Sequence, residues 1–315
     1  MNILAAVVLL TAAGATGFRD NPVLTELTTK GITMPEGTVV KLPRPLLGKE
    51  MDAAAQRATI EKILRFAHCD FDTFTARNSQ APVALDKGKA IVNKGYTLRT
   101  IHVYFVARGS WRVLSSKDFG DTILKKRKEE AKKEGGSSVT GGFLTDKELA
   151  KRKLKSVTEK HWGDRYFYST FWLFDMAEVS VTRYVFLSET PDGVVLAGRV
   201  DPRFANDKEY PNQWRRIDKD ALGHPVLGPK HTYSGAGFYL KATRLKSPRD
   251  AIFFEIHSAF NEPDGWFDGG PALISHLKTI TEHVAMDFRI KLAHATEDAE
   301  EKAAGGGAKA ERAKN

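Results

Sequence analysis

The stretch that most constrains this chain is Pro271–His294. Leu273, Leu277, Ile280, Val284 and Phe288 follow one another at spacings of four, three, four and four, which sets them in one stripe along an α-helix. Pro271 suits a first helical position, and Lys291 and His294 bring cations to the negative end of the helix dipole. A long one-sided helix needs a broad apolar partner. The two segments just before it, Thr232–Leu245 and Ala251–Phe260, read as strands. The simplest way to bury all three is an α+β fold in which a curved antiparallel sheet packs on a long C-terminal helix.

The other strands agree with that arrangement. Tyr96–Val106 carries apolar residues on both parities, as expected of a central strand covered on both surfaces. Gly109 ends it before Trp111–Leu114. Tyr166–Phe174, Val179–Leu187 and Gly193–Val200 follow. Between the last two, Pro191-Asp192-Gly193 combines a fixed φ, a side chain that bonds to backbone and a residue free to turn left-handed, which marks a hairpin. Gly235 and Gly237 are expected where the sheet bends sharply or a helix comes close. Asp201–Pro229 holds four prolines and one short strand candidate, Gln213–Ile217, and reads as a lid or surface excursion.

Elsewhere, Met51–Ala67 reads as a helix with a shallow apolar face, Phe18–Lys49 as an extended lead-in along the body of the domain, and Val83–Leu85 as a short strand. Asp118–Glu134 reads as an exposed helix stopped by Gly135-Gly136-Ser137-Ser138. Thr145 with Glu148 forms a capping box opening a second helix through about Thr158. The expected division is a signal peptide at 1–17, an N-terminal extension with one helix at 18–95, the sheet-and-helix domain at 96–296, and a disordered tail rich in Ala, Glu, Lys and Gly at 297–315.

With 315 residues and 42% hydrophobic composition the chain can form one large domain or two small ones. Met1–Gly17 has an apolar core, Ile3 to Leu10, and an Ala13-Gly14-Ala15 cleavage-like site, and it is too short to span a bilayer. Its amino terminus is its sole positive charge. The reading is export, to a periplasmic or extracellular location, with an uncleaved N-terminal anchor as the alternative. The single cysteine, Cys69, rules out an intramolecular disulfide and a thiolate cluster. Between Lys125 and Lys160, twelve Lys/Arg stand against six Asp/Glu, two thirds of the chain's surplus of nine. Such a segment can touch an anionic surface, or it is the solvated face of two helices.

From Tyr96 to His294 the order is strand, two helices, five or six antiparallel strands and one long helix. This order resembles the helix-grip arrangement of the START-like superfamily, which includes lipid-transfer, polyketide-cyclase-like and hormone-binding proteins. The resemblance implies a sheet curled around the terminal helix, leaving an apolar cavity for a hydrophobic ligand. It is one of element order and brings no catalytic residue with it.

Read by themselves, the strand aromatics supply walls for such a cavity or for a solid core. Tyr166, Phe167, Tyr168, Phe171, Trp172 and Phe174 fill both parities of one strand, Phe238 and Leu240 share a parity, and Phe253 and Phe254 lie on the last strand. Tyr166, Tyr168, Trp172, Phe238 and Phe254 are the expected ligand contacts. Arg203 and Arg215 are added as forks for an anionic head group. The competing reading of Asp201, Arg203, Asp207, Arg215 and Arg216 is a salt-bridged loop scaffold. No catalytic residue, cofactor or metal is assigned: His224, His231 and His257 match no compact zinc spacing, and Tyr233-Ser234-Gly235-Ala236-Gly237 lacks the order of a nucleophile elbow. The expected function is an exported binding protein for a hydrophobic small molecule or lipid. The alternatives are a polyanion- or envelope-associated structural protein, or an enzyme of unassigned chemistry on the same fold. Nucleic acid is disfavoured, since basic and aromatic residues occupy separate segments.

Overall fold

In the computed structural model, residues 20–116, 119, 140–155, 158–159, 162–173, 175–266 and 272–312 are described. The leader-like segment, the expected helix Asp118–Glu134 apart from Phe119, the Gly135–Ser138 break, the basic run from Lys125 to Lys133, Phe174 and Pro271 lie outside the described residues. In chain order the first elements are Pro22–Thr29 (α1), Ile32–Thr33 (β1), Val39–Val40 (β2), Ala53–Glu61 (α2) and Phe71–Phe74 (α3). Next come Ala84–Lys87 (β3), Ile91–Asn93 (β4), Tyr96–Arg108 (β5), Trp111–Leu114 (α4), Thr140–Phe143 (β6), Asp146–Ala150 (α5) and Thr158–Glu159 (β7). The long strands follow as Trp162–Leu173 (β8), Ala177–Thr190 (β9) and Gly193–Val200 (β10). Gln213–Lys219 (β11), Pro225–Leu227 (β12), His231–Thr232 (β13), Ala236–Arg244 (β14), Ala251–Pro263 (β15) and Ala272–Arg312 (α6) complete the chain.

The long strands form one antiparallel sheet in the order β8, β9, β10, β14, β15, β5. The first long strand, β5, therefore pairs with the last, β15, from Ala251↔Arg108 to Pro263↔Tyr96. The fold is α+β in the helix-grip arrangement, a curved antiparallel sheet packed on a long C-terminal helix. On the inner face, Val103 and Phe105 of β5, Phe254 and Ile256 of β15, and Leu196 of β10 share one core with Leu277, Val284, Phe288 and Leu292 of α6. Phe105 and Phe254 stack at 4.8 Å, and Phe288 stands edge-on to Phe254 at 5.0 Å. Ser110 caps α4 and donates its backbone N–H to Thr296 Oγ1 at 3.0 Å, fastening α6 beside β5.

Several boundaries differ from the sequence reading, each for a local reason. Residues 20–95, expected as an extension, pack against the sheet. β3 and β4 extend the sheet beyond β5, while α1, α2 and α3 cover its outer face. Val23, Leu27, Ile32, Met34 and Leu42 pack on Leu98, Tyr239 and Ala259. Leu47, Ile60, Leu64, Phe71 and Phe74 pack on Tyr104, Val106 and Phe253. Helix α1, read as extended lead-in, is capped by Asn21, whose side chain accepts from Leu24 N at 2.9 Å, with Pro22 in the first turn. Gly237 makes room for this layer: a Cβ there would stand 2.7 Å from Ile32 Cδ1 and 3.0 Å from Leu27 Cδ2.

Helix α6 continues past His294 to Arg312, through most of the stretch expected as a disordered tail. Ala, Glu and Lys are strong helix formers, and a helix already nucleated by packing extends into them readily. In its seam Thr281 is buried and bonds Leu277 O at 2.7 Å, whereas Ile280, at the edge of the stripe, is 39% exposed. The capping box at Thr145 and Glu148 is present, yet α5 ends at Ala150. Lys153 takes φ 57° and Leu154 N bonds Leu149 O at 3.0 Å, a Schellman stop, and Arg152 is drawn to Asp207 at 2.6 Å. Trp111–Leu114, beyond the Gly109 break, is a helical turn. In the Asp201–Pro229 excursion, β11 joins the sheet beside β9.

Arg289 ties both layers together. It is buried on α6 and donates to Val106 O at 2.7 Å, Ala81 O at 2.6 Å, Ser79 O at 3.2 Å and Pro82 O at 3.3 Å. Burial pulls its pKa down to about 10. Replacing it by Met strands these carbonyls, so Arg289→Met is expected to cost about 2–3 kcal/mol in urea unfolding. Arg289→Lys recovers only part, because an ammonium cannot span the same fork. An unchanged midpoint for Arg289→Met would show that the latch carries no stability.

Candidate ligand site on the inner face

Strand parity decides which aromatics can meet a ligand. In β8 the odd residues Ser169, Phe171 and Leu173 lie opposite Val181, Val179 and Ala177 of β9, on the side of the inner core. Tyr166, Tyr168 and Trp172 are of the other parity and lie on the outer side. Next to Phe171 the inner face holds a cavity of about 30 Å³, lined among others by Val181, Arg183, Phe238, Phe260 and Trp266. That is room for about two waters. No described residue of α6 lines it. Tyr233 and Trp266 form one wall, stacked with centroids 5.5 Å apart, and Trp266 meets Trp214 edge-on at 6.0 Å. Tyr233 donates its hydroxyl to Asn261 O at 3.1 Å, and burial pushes its pKa up.

Among the described residues one charged side chain lines this space. Arg183 occupies an inward position of β9 between Val181 and Val185. Its Nη1 donates to Ser169 Oγ at 2.7 Å, and its guanidinium carbon stands 5.6 Å from the centre of the Phe171 ring. Removal from water lowers its pKa to about 10. Glu262, whose charge reaches Tyr233, is held by Arg99 in a buried ion pair. Among the described residues, no carboxylate lies within ion-pair distance of Arg183.

Of the residues expected from sequence to contact a ligand, Phe238 lines the cavity and Phe254 lies in the inner core between Phe105 and Phe288. The others gather elsewhere. Tyr166 packs with Leu144, Leu149 and Phe204 and accepts from Arg203 Nη2 at 2.8 Å. Tyr168 meets Tyr210 at 5.3 Å. Trp172 Nε1 donates to Glu178 at 3.0 Å. Arg203 is paired with Asp201, Nε to Oδ1 at 2.9 Å, and Arg215 with Glu178 at 2.7 Å. Asp207 and Arg216 are likewise paired, with Arg152 and Asp218. These groups form the salt-bridged scaffold. Arg183, Tyr233 and Trp266 were not singled out by sequence. A lone charge on one parity of the apolar run Val179–Leu187 is the signal that marks Arg183.

The outer face holds a second polar group, in two cross-strand rows. Lys241, Glu255 and Tyr104 align in one, and Tyr239, His257 and His102 in the next. Lys241 Nζ donates to Leu47 O at 2.6 Å, Glu255 Oε2 accepts from Leu46 N at 2.8 Å, and Tyr239 donates to Pro43 O at 3.0 Å. His257 Nδ1 and His102 Nδ1 lie 2.8 Å apart, and His257 Nε2 is 3.5 Å from Glu255. The rows fasten Pro43–Leu47 across the sheet, a structural task. Among the described residues no group of three or more His, Cys, Asp or Glu side chains gathers to hold a metal ion, and no helix is long and apolar enough to cross a membrane.

Burial, and secondarily the charge of His257, hold His102 down to about 4 from 6.5. Between those values the unfolded chain binds more protons than the folded one, so stability is complete above 6.5 and falls as the pH drops toward 4. The expected loss is about 2–3 kcal/mol. Urea midpoints taken on both sides of that window should show it, and His102→Gln should flatten the dependence. An equally steep loss in His102→Gln would assign it to other groups.

No family model matches the chain, and no curated protein matches it. Among solved structures, human STARD10 is similar at 8% sequence identity over 78% of this chain and 85% of that chain, with a TM-score of 0.31.

Proposed function

We propose that this chain is an exported binding protein for a hydrophobic small molecule or lipid, held against the inner face of the sheet. The observation that carries the reading is the cavity at Phe171, Phe238, Phe260 and Trp266, whose walls are aromatic and aliphatic apart from Arg183. An apolar site with few convergent polar groups is the usual form of a small-molecule site. At about 30 Å³ the space is far below the roughly 300–1,000 Å³ of such sites, so uptake requires part of the wall to swing away. Tyr233 lies between β13 and β14, and Trp266 in the turn beyond β15. Both can move without breaking a strand ladder. Export rests on the short apolar Met1–Gly17 and its small-residue boundary.

Native mass spectrometry of the full chain purified from an exporting host, with solvent extraction of whatever accompanies it, tests the reading. The expected result is a stoichiometric apolar adduct, lost on extraction and restored by adding the extract back. Absence of any adduct, together with an unmoved melting temperature across a panel of fatty acids, sterols and phospholipids, overturns it.

A further inference from the structure

Several arginines drawn into or against this fold are neutralised or saturated, and Arg183 itself is half-buried. Arg99, Arg203 and Arg215 each hold a carboxylate. Arg289 spends its donors on four backbone carbonyls. Arg183 is different. Among the described residues its one hydrogen-bond acceptor is Ser169 Oγ, and no acid accompanies it. A guanidinium carries five N–H donors in a fixed fork, and leaving a charge short of partners in apolar surroundings is costly. This guanidinium lines the cavity, beside Phe171 and among Val181, Phe238, Phe260 and Trp266. Elsewhere on this side of the sheet, Arg99 and Glu262 are spent on each other.

Resting on the reading of an apolar ligand site, we propose that the ligand is an amphiphile with a carboxylate head, anchored by Arg183 and carrying an unbranched apolar chain. The two oxygens of a carboxylate match the free edge of a guanidinium and supply the missing counter-charge. The Ser169 hydroxyl already holds Nη1 at 2.7 Å, which fixes the plane of the fork. A planar head of three heavy atoms suits the space beside Arg183 better than a tetrahedral phosphodiester with its substituents. The apolar chain lies along Phe171, Phe238 and Phe260.

The test compares dodecanoate with dodecan-1-ol, equal in chain length and unequal in charge, each titrated below its aggregation limit against the full chain and followed by tryptophan fluorescence. The parent protein is expected to bind dodecanoate about 10- to 100-fold more tightly than the alcohol, the range of a charged hydrogen-bonded pair. Arg183→Met should erase that preference while leaving affinity for the alcohol unchanged. Its melting temperature should be no lower than the parent's, since an uncompensated cation is removed. Arg183→Lys, which keeps the charge and loses the fork, should retain part of the preference and serves if the Met variant does not fold. Equal binding of acid and alcohol to the parent, or a preference that survives in Arg183→Met, overturns the anchor and leaves the apolar site standing. If neither compound binds, the apolar site itself fails and the anchor with it.

Discussion

Strand β15 has no side that water can reach. Twelve of its thirteen residues are buried, with β14 and β5 on its edges and side chains packed on both faces. Because successive residues of a strand point to opposite faces, this one sequence demands two covering layers. Helix α6 supplies one, through Leu277, Val284, Phe288 and Leu292, and residues 20–83 supply the other. At roughly 1.5–3 kcal/mol for each large apolar side chain withdrawn from water, neither layer is dispensable. The sheet, the helix and the N-terminal segment are three parts of one burial problem.

The polar groups caught between these layers are handled in different ways. On the outer face Lys241 and Glu255 face each other across strands and bond to the covering chain at Leu47 and Leu46, so their charges hold a layer in place. Arg289 does similar work on the inner side without any acid, through carbonyls alone. Charged groups of this kind add little net stability, but removing one member is expensive because the other stays buried. Among the described residues Arg183 has neither a carboxylate nor a set of carbonyls, which sets it apart from these structural charges.

Much of the fold was legible because its signals are periodic. The seam of α6, the alternation of β5 and β9, the Pro191–Gly193 hairpin and the Thr145 capping box all depend on residues close in sequence, and all are present. What could not be read depends on distant partners. Both parities of β8 are rich in aromatics, so local pattern alone does not say whether Tyr166 or Phe171 faces the core; the pairing with β9 does. Likewise Arg203 and Arg215 looked available until Asp201 and Glu178 were seen to hold them. The outer layer was missed because α1 is only eight residues long and its apolar face is two residues, Val23 and Leu27.

The pairing of β5 with β15 joins positions 143 to 167 residues apart, and the Arg289 bonds to Val106 and Ala81 join positions 183 and 208 residues apart. On a ribosome the N-terminal half therefore emerges long before the surfaces that will receive it. Phe105 on the inner parity of β5 waits for Phe254 and Phe288, and the layer of α1 and α2 finds only part of its surface on β5, until the last hairpin and helix have been made. Closing loops of that length is slow, and the waiting segments are open to wrong partners meanwhile. The architecture thus favours a chain that is kept unfolded while it is being synthesised and closes in one late step, with its first and last strands meeting to complete the sheet.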